Sequence, residues 1–411
     1  MTSSPPKLFI HALDPDQLSD ALQSDQSQRL GTTTLRSLSK RAILLSHPTD
    51  TIIVDSPPDP AWLPFLSTIG IETGTILAPQ STKSTLSQSI LSDQHLLERL
   101  SKNQWMIEPY MGSQEIQHLS STLNTELNAP NPKLLNQLNL KSNLHAFLVQ
   151  ADLPTIQTTT APRDEIHTKA FQSFNDLGPL MVRADLSIGG LGVWKIESQS
   201  DIQALQYSIS QSPAHRLFII QPLLDIISSP NVQYTITDAK PIFLGISDQH
   251  MTPSLAFGGN DYPSPHAQHP DLLLQSQRIT HWLHKKGYRG IVGIDFVITT
   301  ENKAYIVEIN PRVNTSTFPL HLAQRLGRSA FRLMTGLQTQ TVTDFDQLVD
   351  GVGTDLLYDP LRGSGMIPLT VPNATTPTLD AMIFADDHTT ITKLSNQLNN
   401  RLGLSAASLL T

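Results

Sequence analysis

The chain contains no cysteine among its 411 residues, which excludes disulfides, thiolate metal sites and covalent cysteine catalysis. It also lacks clustered positive charge. Lys and Arg number 28 against 36 Asp and Glu, for a net charge of −8, and no run supplies the counter-charge a nucleic-acid backbone requires. Long apolar stretches are absent as well: Lys7-Leu-Phe-Ile10 is short and soon gives way to polar residues. Neither a signal peptide nor a spanning helix is expected, so the default is a cytoplasmic protein that engages no membrane and no nucleic acid. No Gly-x-Gly-x-x-Gly follows a strand-like run, which leaves dinucleotide binding unsupported. Any phosphate must therefore be bound locally.

What the chain does hold is a pair of alternating runs, Gly290-Ile-Val-Gly-Ile-Asp-Phe-Val-Ile298 and Tyr305-Ile-Val-Glu-Ile-Asn-Pro-Arg312, around the polar turn Thr299 to Lys303. They read as a β-hairpin. A turn centred between Glu301 and Asn302 sets Asp295 directly opposite Glu308, with Cβ atoms roughly 5 Å apart, and two facing carboxylates repel unless positive charge lies between them. Asn310 shares the face of Glu308. Ile294, Phe296, Val307 and Ile309 would make the hairpin half buried, so its acidic face needs a reason. Two carboxylates and an amide are hard oxygen donors that suit Mg²⁺, with Mn²⁺ as a substitute, and Arg312 follows within reach of an anion held there.

At 39% apolar residues, a chain of this length forms two to four domains. Residues 1–128 alternate apolar runs with helix-like stretches and read as a small parallel α/β domain. Asn128-Ala-Pro-Asn-Pro132 punctuates the chain, and a helix is expected from Lys133 to Ala151. Strand, glycine turn and strand then follow in Pro179 to Arg183, Ser187-Ile-Gly-Gly-Leu-Gly192 and Val193 to Ile196. Gly189, Gly190 and Gly192 would let backbone N–H groups approach a polyphosphate. The ordinary reading of the same turn is a tight hairpin, and that of Arg183 is an ion pair with Asp185 two residues on. A helix is expected from Pro319 to Gly336, and residues 336–411 read as a small C-terminal α+β extension.

Gly-Ile-Asp-Phe-Val at 293–297 followed by Val-Glu-Ile-Asn-Pro-Arg at 307–312 resembles the metal-binding end of ATP-grasp enzymes, which couple ATP hydrolysis to joining a carboxylate and an amine. The resemblance spans about residues 130 to 330 and implies an α/β and α+β architecture: an N-terminal domain over 1–128, an ATP-grasp domain over 129–335 in halves 129–215 and 216–335, and the extension. It implies ATP contacts from Lys141 and Arg183, a hinge at Gln221-Pro-Leu223 whose main chain meets adenine, and Asn231 where an acidic residue often holds the ribose. Asp295, Glu308 and Asn310 would be the metal ligands and Arg312 the catalytic cation. Gly245-Ile-Ser-Asp-Gln-His250, Gly258-Gly-Asn-Asp-Tyr-Pro263 and Leu357-Tyr-Asp-Pro-Leu-Arg362 resemble pheganomycin-type peptide ligases and, more distantly, mycosporine-glycine synthases. Asp248, Gln249 and Asn260 are then candidates for the substrate pocket, and His250 for a base.

The implied activity is amide-bond formation between an amino acid or peptide carboxylate and an amine through an acyl phosphate, in a protein whose family suggests a homodimer. A small-molecule kinase on the same fold and a non-catalytic nucleotide-binding regulator are the alternatives.

Overall fold

The computed structural model describes residues 5–12, 39–80, 82–83, 85–186, 192–211, 215–252, 257–339, 342–373 and 378–403. The first domain is a five-stranded parallel sheet. Its strands are β1 (Lys7–Ile10), β2 (Thr51–Ile53), β3 (Thr75–Leu77), β4 (Met106–Pro109) and β5 (Glu126–Leu127), in the order β3-β2-β1-β4-β5. Helices α1 (Trp62–Thr68), α2 (Leu86–Leu91), α3 (Gln94–Leu100) and α4 (Gln114–Leu123) cover it. Leu8, Ile10, Ile53 and Ile107 are wholly buried, as parallel strands sandwiched by helices must be.

The expected helix from Lys133 to Ala151 is broken into α5 (Pro132–Asn139) and α6 (Lys141–Gln150), because Leu140 is extended at φ −84°, ψ 115°. The break has a purpose in packing: the Asp185 carboxylate accepts from the Ser142 N–H at 2.7 Å, capping α6. A four-stranded sheet follows, β6 (Thr159–Pro162), β7 (Leu180–Ala184), β8 (Val193–Ile196) and β9 (Leu217–Pro222), in the order β6-β9-β7-β8, backed by α7 (Ile166–Leu177) and α8 (Gln199–Gln211). Since β9 pairs with both β6 and β7, the joint between the two halves lies beyond Pro222 and not at 215/216.

The remaining strands make one large, mostly antiparallel assembly: β10 (Ile226–Ser228), β11 (Pro230–Ile236), β12 (Pro241–Met251), β13 (Phe257–Tyr262), β14 (Gly290–Thr299), β15 (Ala304–Asn310), β16 (Ala330–Gln338), β17 (Gly365–Thr370) and β18 (Thr378–Ala385). Helix α9 (Pro270–Lys285) packs Leu272, Ile279 and Leu283 on one face with Val232, Ile294 and Phe296. On the other face lies α10 (Thr317–Leu326). This helix is shorter than expected, since Gly327 takes the left-handed conformation at φ 64° and ends it, after which Ala330 begins a strand instead of continuing the helix to Gly336. The expected boundary at 335/336 falls inside β16, and the C-terminal α+β segment extends the large sheet through β17 and β18, under α11 (Phe345–Val352) and α12 (His388–Arg401). None of the described helices is long and apolar enough to cross a membrane.

Candidate active site

The site forms where the four-stranded sheet, the large sheet and the start of α6 meet. Asp295 and Glu308 are direct register partners on β14 and β15, as are Gly293 and Asn310. Beyond Asp295 the register slips by one: Phe296 pairs Ile306 and Ile298 pairs Ala304. The turn is thus centred on Glu301 instead of between Glu301 and Asn302, and a bulge at Val307 restores the pairing at the acidic end. It also changes the packing. Ile306 is buried and Val307 is not, reversing the expected role of Val307 as a core flank.

Cations gather around this bulge. Arg183 of β7 donates through Nη1 to the Val307 carbonyl at 3.1 Å and through Nη2 to Gln221 Oε1 at 2.8 Å. Burial lowers its pKa, opposed by the charges of Glu308 and Asp295. Lys141, first residue of α6, places Nζ 3.0 Å from Glu308 Oε1 with only 4% of its side chain exposed. Arg312 donates to Asn310 Oδ1 at 2.9 Å and lies over the ring of Tyr110, which comes from the end of β4. The alternative pairing of Arg183 with Asp185 is not formed; the Asp185 carboxylate is occupied with the N-terminus of α6.

The two carboxylates are not equivalent. Asp295 accepts from Asn231 Nδ2 at 2.5 Å and Asn310 Nδ2 at 2.8 Å, but burial and the Glu308 charge push its pKa up to about 6. Burial would raise Glu308 too, yet Lys141 and Arg183 outweigh it and the net shift is downward. Asn231 therefore sits against Asp295, its cross-strand partner, where the sequence reading had assigned it to the ribose. Behind it runs a chain of buried amides that the sequence reading missed. Gln233 Nε2 donates to Asn231 Oδ1 at 3.0 Å and Asn314 Oδ1 at 2.8 Å, and Thr317 Oγ1 donates to Gln233 Oε1 at 2.9 Å. A Cβ on Gly293 would collide with the Asn314 amide, so glycine there makes room for the network. Polar residues two apart on the otherwise apolar strand Pro230–Ile236 were the available signal.

Other expected residues fall differently. Gln221 Nε2 donates to Thr158 at 2.8 Å, and the Leu223 N–H donates to the Pro179 carbonyl at 2.8 Å, so Leu223 is spoken for and Leu224 carries the next main-chain donor in the hinge. Gly192 is at φ 70° and its carbonyl accepts from the Ala184 N–H at 2.7 Å; Gly189 and Gly190 lie outside the described residues. Gln249 and Asn260 are register partners on the Asp295 face of the sheet. Asn260 is fully buried and donates to Ser316 Oγ at 2.8 Å, beneath any open pocket. Asp248 points to the opposite face, accepting from Ser228 Oγ and the Ser229 N–H. His250 shares that opposite face, 3.2 Å from Asp261.

Among the described residues no three His, Cys, Asp or Glu side chains converge as a metal site. The donors here are two carboxylates and the Asn310 amide, with room in the coordination shell for phosphate and water oxygens. That set fits Mg²⁺, which retains waters and binds through one or two carboxylates plus substrate phosphates. Within the pair, Glu308 has a cation directly on it in Lys141, whereas the Asp295 oxygens are met by amides alone.

Residues 179–310 match the family model described as L-aspartate--L-methionine ligase, ATP grasp, and residues 39–125 match the Pre ATP-grasp domain. No curated protein matches the chain. Among solved structures, the chain is similar to N5-carboxyaminoimidazole synthetase from Staphylococcus aureus, at TM-score 0.58 and 12% identity over 98% of each chain. It is also similar to biotin carboxylase from Campylobacter jejuni in complex with beta-gamma-ATP, at TM-score 0.63 and 12% identity over 97% of this chain and 95% of that one. At such identities the structures establish the fold. The two family models add the sequence match over residues 39–125 and 179–310, which carry a Pre ATP-grasp domain and an ATP-grasp ligase domain.

Proposed function

We propose that this protein is an ATP-dependent ligase that joins the carboxylate of an amino acid or peptide to an amine, through an acyl phosphate and with release of ADP and phosphate. The observation that carries the reading is the convergence of Lys141, Arg183 and Arg312 on the facing pair Asp295 and Glu308, at the joint between two sheets. Mg²⁺ held by Asp295, Glu308 and Asn310 would neutralise charge on the ATP phosphates. Lys141 and Arg183 would bind phosphate oxygens, at the cost of loosening their present contacts with Glu308 and Val307. Arg312, braced by Asn310 and the Tyr110 ring, would stabilise the oxyanion as the amine attacks the acyl phosphate. The Asn231, Gln233, Asn314 and Thr317 network keeps the Asp295 carboxylate oriented. Adenine would take main-chain contacts in the hinge around Leu224. No side-chain nucleophile is required, in keeping with a chain that has no cysteine.

The family model's own activity makes L-aspartate and L-methionine the first substrate pair to try. The experiment supplies ATP, Mg²⁺ and a panel of amino acids and dipeptides, with hydroxylamine in place of the amine. A hydroxamate should form with ADP and phosphate, and an acid labelled with heavy oxygen should pass one labelled atom to the phosphate. AMP and pyrophosphate would sink the mechanism, and a stable phosphorylated product without amide would favour a kinase.

A further inference from the structure

Helix α6 begins without a cap of its own. Leu140, the residue before it, is extended and has no polar side chain, so the first N–H groups of the helix take partners from elsewhere. Asp185, the residue after β7 and 43 positions beyond Ser142, supplies them. Its main-chain carbonyl accepts from the Lys141 N–H at 3.2 Å, and its carboxylate accepts from the Ser142 N–H at 2.7 Å and the Ser142 hydroxyl at 3.1 Å. A carboxylate also has the right sign for a helix N-terminus. Asp185 is 8% exposed, and its own N–H donates to the Leu217 carbonyl of β9 at 2.9 Å. The group that holds α6 is therefore itself fixed to the four-stranded sheet.

What this seat fixes is Lys141, the first residue of α6, whose Nζ lies 3.0 Å from Glu308 with its side chain 4% exposed. A lysine reaches that far on a flexible four-carbon stem, so the place of its ammonium depends on the place of the turn that carries it. A misplacement of about 1 Å at a reacting group can cost on the order of a hundredfold. Stability alone would be served by Ser, Thr, Asp or Asn at position 140. Drawing the cap from the end of β7 adds something that a local cap would not. Arg183 lies two residues before Asp185, on the same side of the strand line, and reaches the metal hairpin through the Val307 carbonyl. One strand end thus presents one cation and seats the other.

We propose that Asp185 is a positioning residue of the site: by seating the first turn of α6 on the end of β7, it holds the Lys141 ammonium at a fixed place relative to Arg183, on Glu308 in the free protein and on nucleotide phosphate when that arrives. The proposal rests on the phosphate role given to Lys141 above.

The test uses the full chain and two readouts. The first is reductive methylation of lysines in the free protein, mapped by mass spectrometry, with the exposed Lys102 and Lys240 as internal references. Lys141 should react slowly in the parent and about tenfold faster in Asp185→Ala, while the references are unchanged. Asp185→Asn should stay within about threefold of the parent, because asparagine caps a helix as well as aspartate does. Ser142→Ala removes one of the three contacts and should raise the rate about threefold, which keeps the proposal testable if Asp185→Ala does not fold. The second readout is ADP affinity by calorimetry. Asp185→Ala and Lys141→Met should each weaken it by about tenfold, and the double variant should bind no more weakly than Lys141→Met alone, since a residue that acts through Lys141 has nothing left to act on. Loss of stability without a positioning role would instead leave the two effects additive. Parent-like methylation in folded Asp185→Ala and Ser142→Ala, additive losses in the double variant, an Asp185→Asn variant as impaired as Asp185→Ala, or parent-like ADP binding in Lys141→Met overturns the proposal. Neither readout involves amide formation, so the absence of a hydroxamate would remove the ligase reading and leave these results standing.

Discussion

Two acidic groupings on the large sheet look alike in sequence and differ in how their charge is met. Asp261 is held by its own chain: Arg332 binds both oxygens at 2.7 Å, and His250 stands 3.2 Å away. Burial would raise its pKa, but these partners overcome that and drive it well below the ordinary range. Asp295 has amides on both oxygens and a second carboxylate opposite, and its pKa rises. A carboxylate that the fold itself neutralises is a fastener; one set against another carboxylate is completed by something from outside. Perturbation upward and perturbation downward thus carry opposite functional meaning.

The sharpest way to test that contrast is to remove charge at the incomplete pair. Asp295→Asn or Glu308→Gln should lower Mg²⁺-dependent ATP turnover by about a thousandfold or more, on the order of 4 kcal/mol of transition-state stabilisation. The fold should be retained in Asp295→Asn, where an amide relieves repulsion in the metal-free protein, whereas Glu308→Gln leaves the buried Lys141 cation without its partner and should lower the melting temperature. Steady-state turnover with melting curves on the same preparations checks both halves. Activity within tenfold of the parent at ordinary Mg²⁺ would remove these residues from the ligand set.

The converse holds at the completed pair. Arg332→Leu strands the Asp261 carboxylate with only His250, and should cost about 2–3 kcal/mol in urea unfolding, somewhat below the range for fully buried pairs because both side chains are partly exposed. Turnover per folded molecule should change less than about threefold. A stable variant with turnover lost would mean that Arg332 acts on substrate and that the comparison has been drawn in the wrong place.

How much of this was legible follows the range of each interaction. The hairpin with Asp295, Glu308 and Asn310 is local, and period-two alternation with a polar turn placed it. Even there the facing pair depends on a bulge at Val307 that compensates for the shifted turn, and nothing in the residues announces a bulge. Family likeness pointed to Lys141 and Arg183 for the nucleotide, but not to their partners in the fold: Lys141 reaches Glu308 over 167 positions, and Arg183 reaches Val307 over 124. The contact of Asn231 with Asp295 was not legible, since the pairing of β11 with β14 is a fact of sheet order and not of composition. Gln233, Asn314 and Thr317 went unnoticed because buried amides look like loop polarity until a tertiary partner is known. Helix ends failed where a strand took over, as at Gly327.

The smallest effect is the most diagnostic of the contrast, because it has a sign. The Asp295 pKa is raised from 3.8 to about 6, so between those values the unfolded chain releases its proton first and the native state binds more protons. This group's contribution to stability is therefore present at low pH, falls as pH rises from about 4 to about 6, and stays lost above. His11 works the other way: its folded pKa of about 3 lies below the ordinary 6.5, so acidification favours the unfolded chain and masks the effect in the parent curve. The difference between parent and Asp295→Asn isolates it. In the absence of metal the variant should match the parent near pH 4.5 and exceed it by about 1–2 kcal/mol at pH 7.5. Added Mg²⁺ should close that gap by stabilising only the parent, since bound metal would supply the positive charge that Asp295, met by amides alone, lacks. A gap that is absent at pH 7.5, or one of the same size at both pH values, would place Asp295 with Asp261 among the carboxylates that the fold already satisfies.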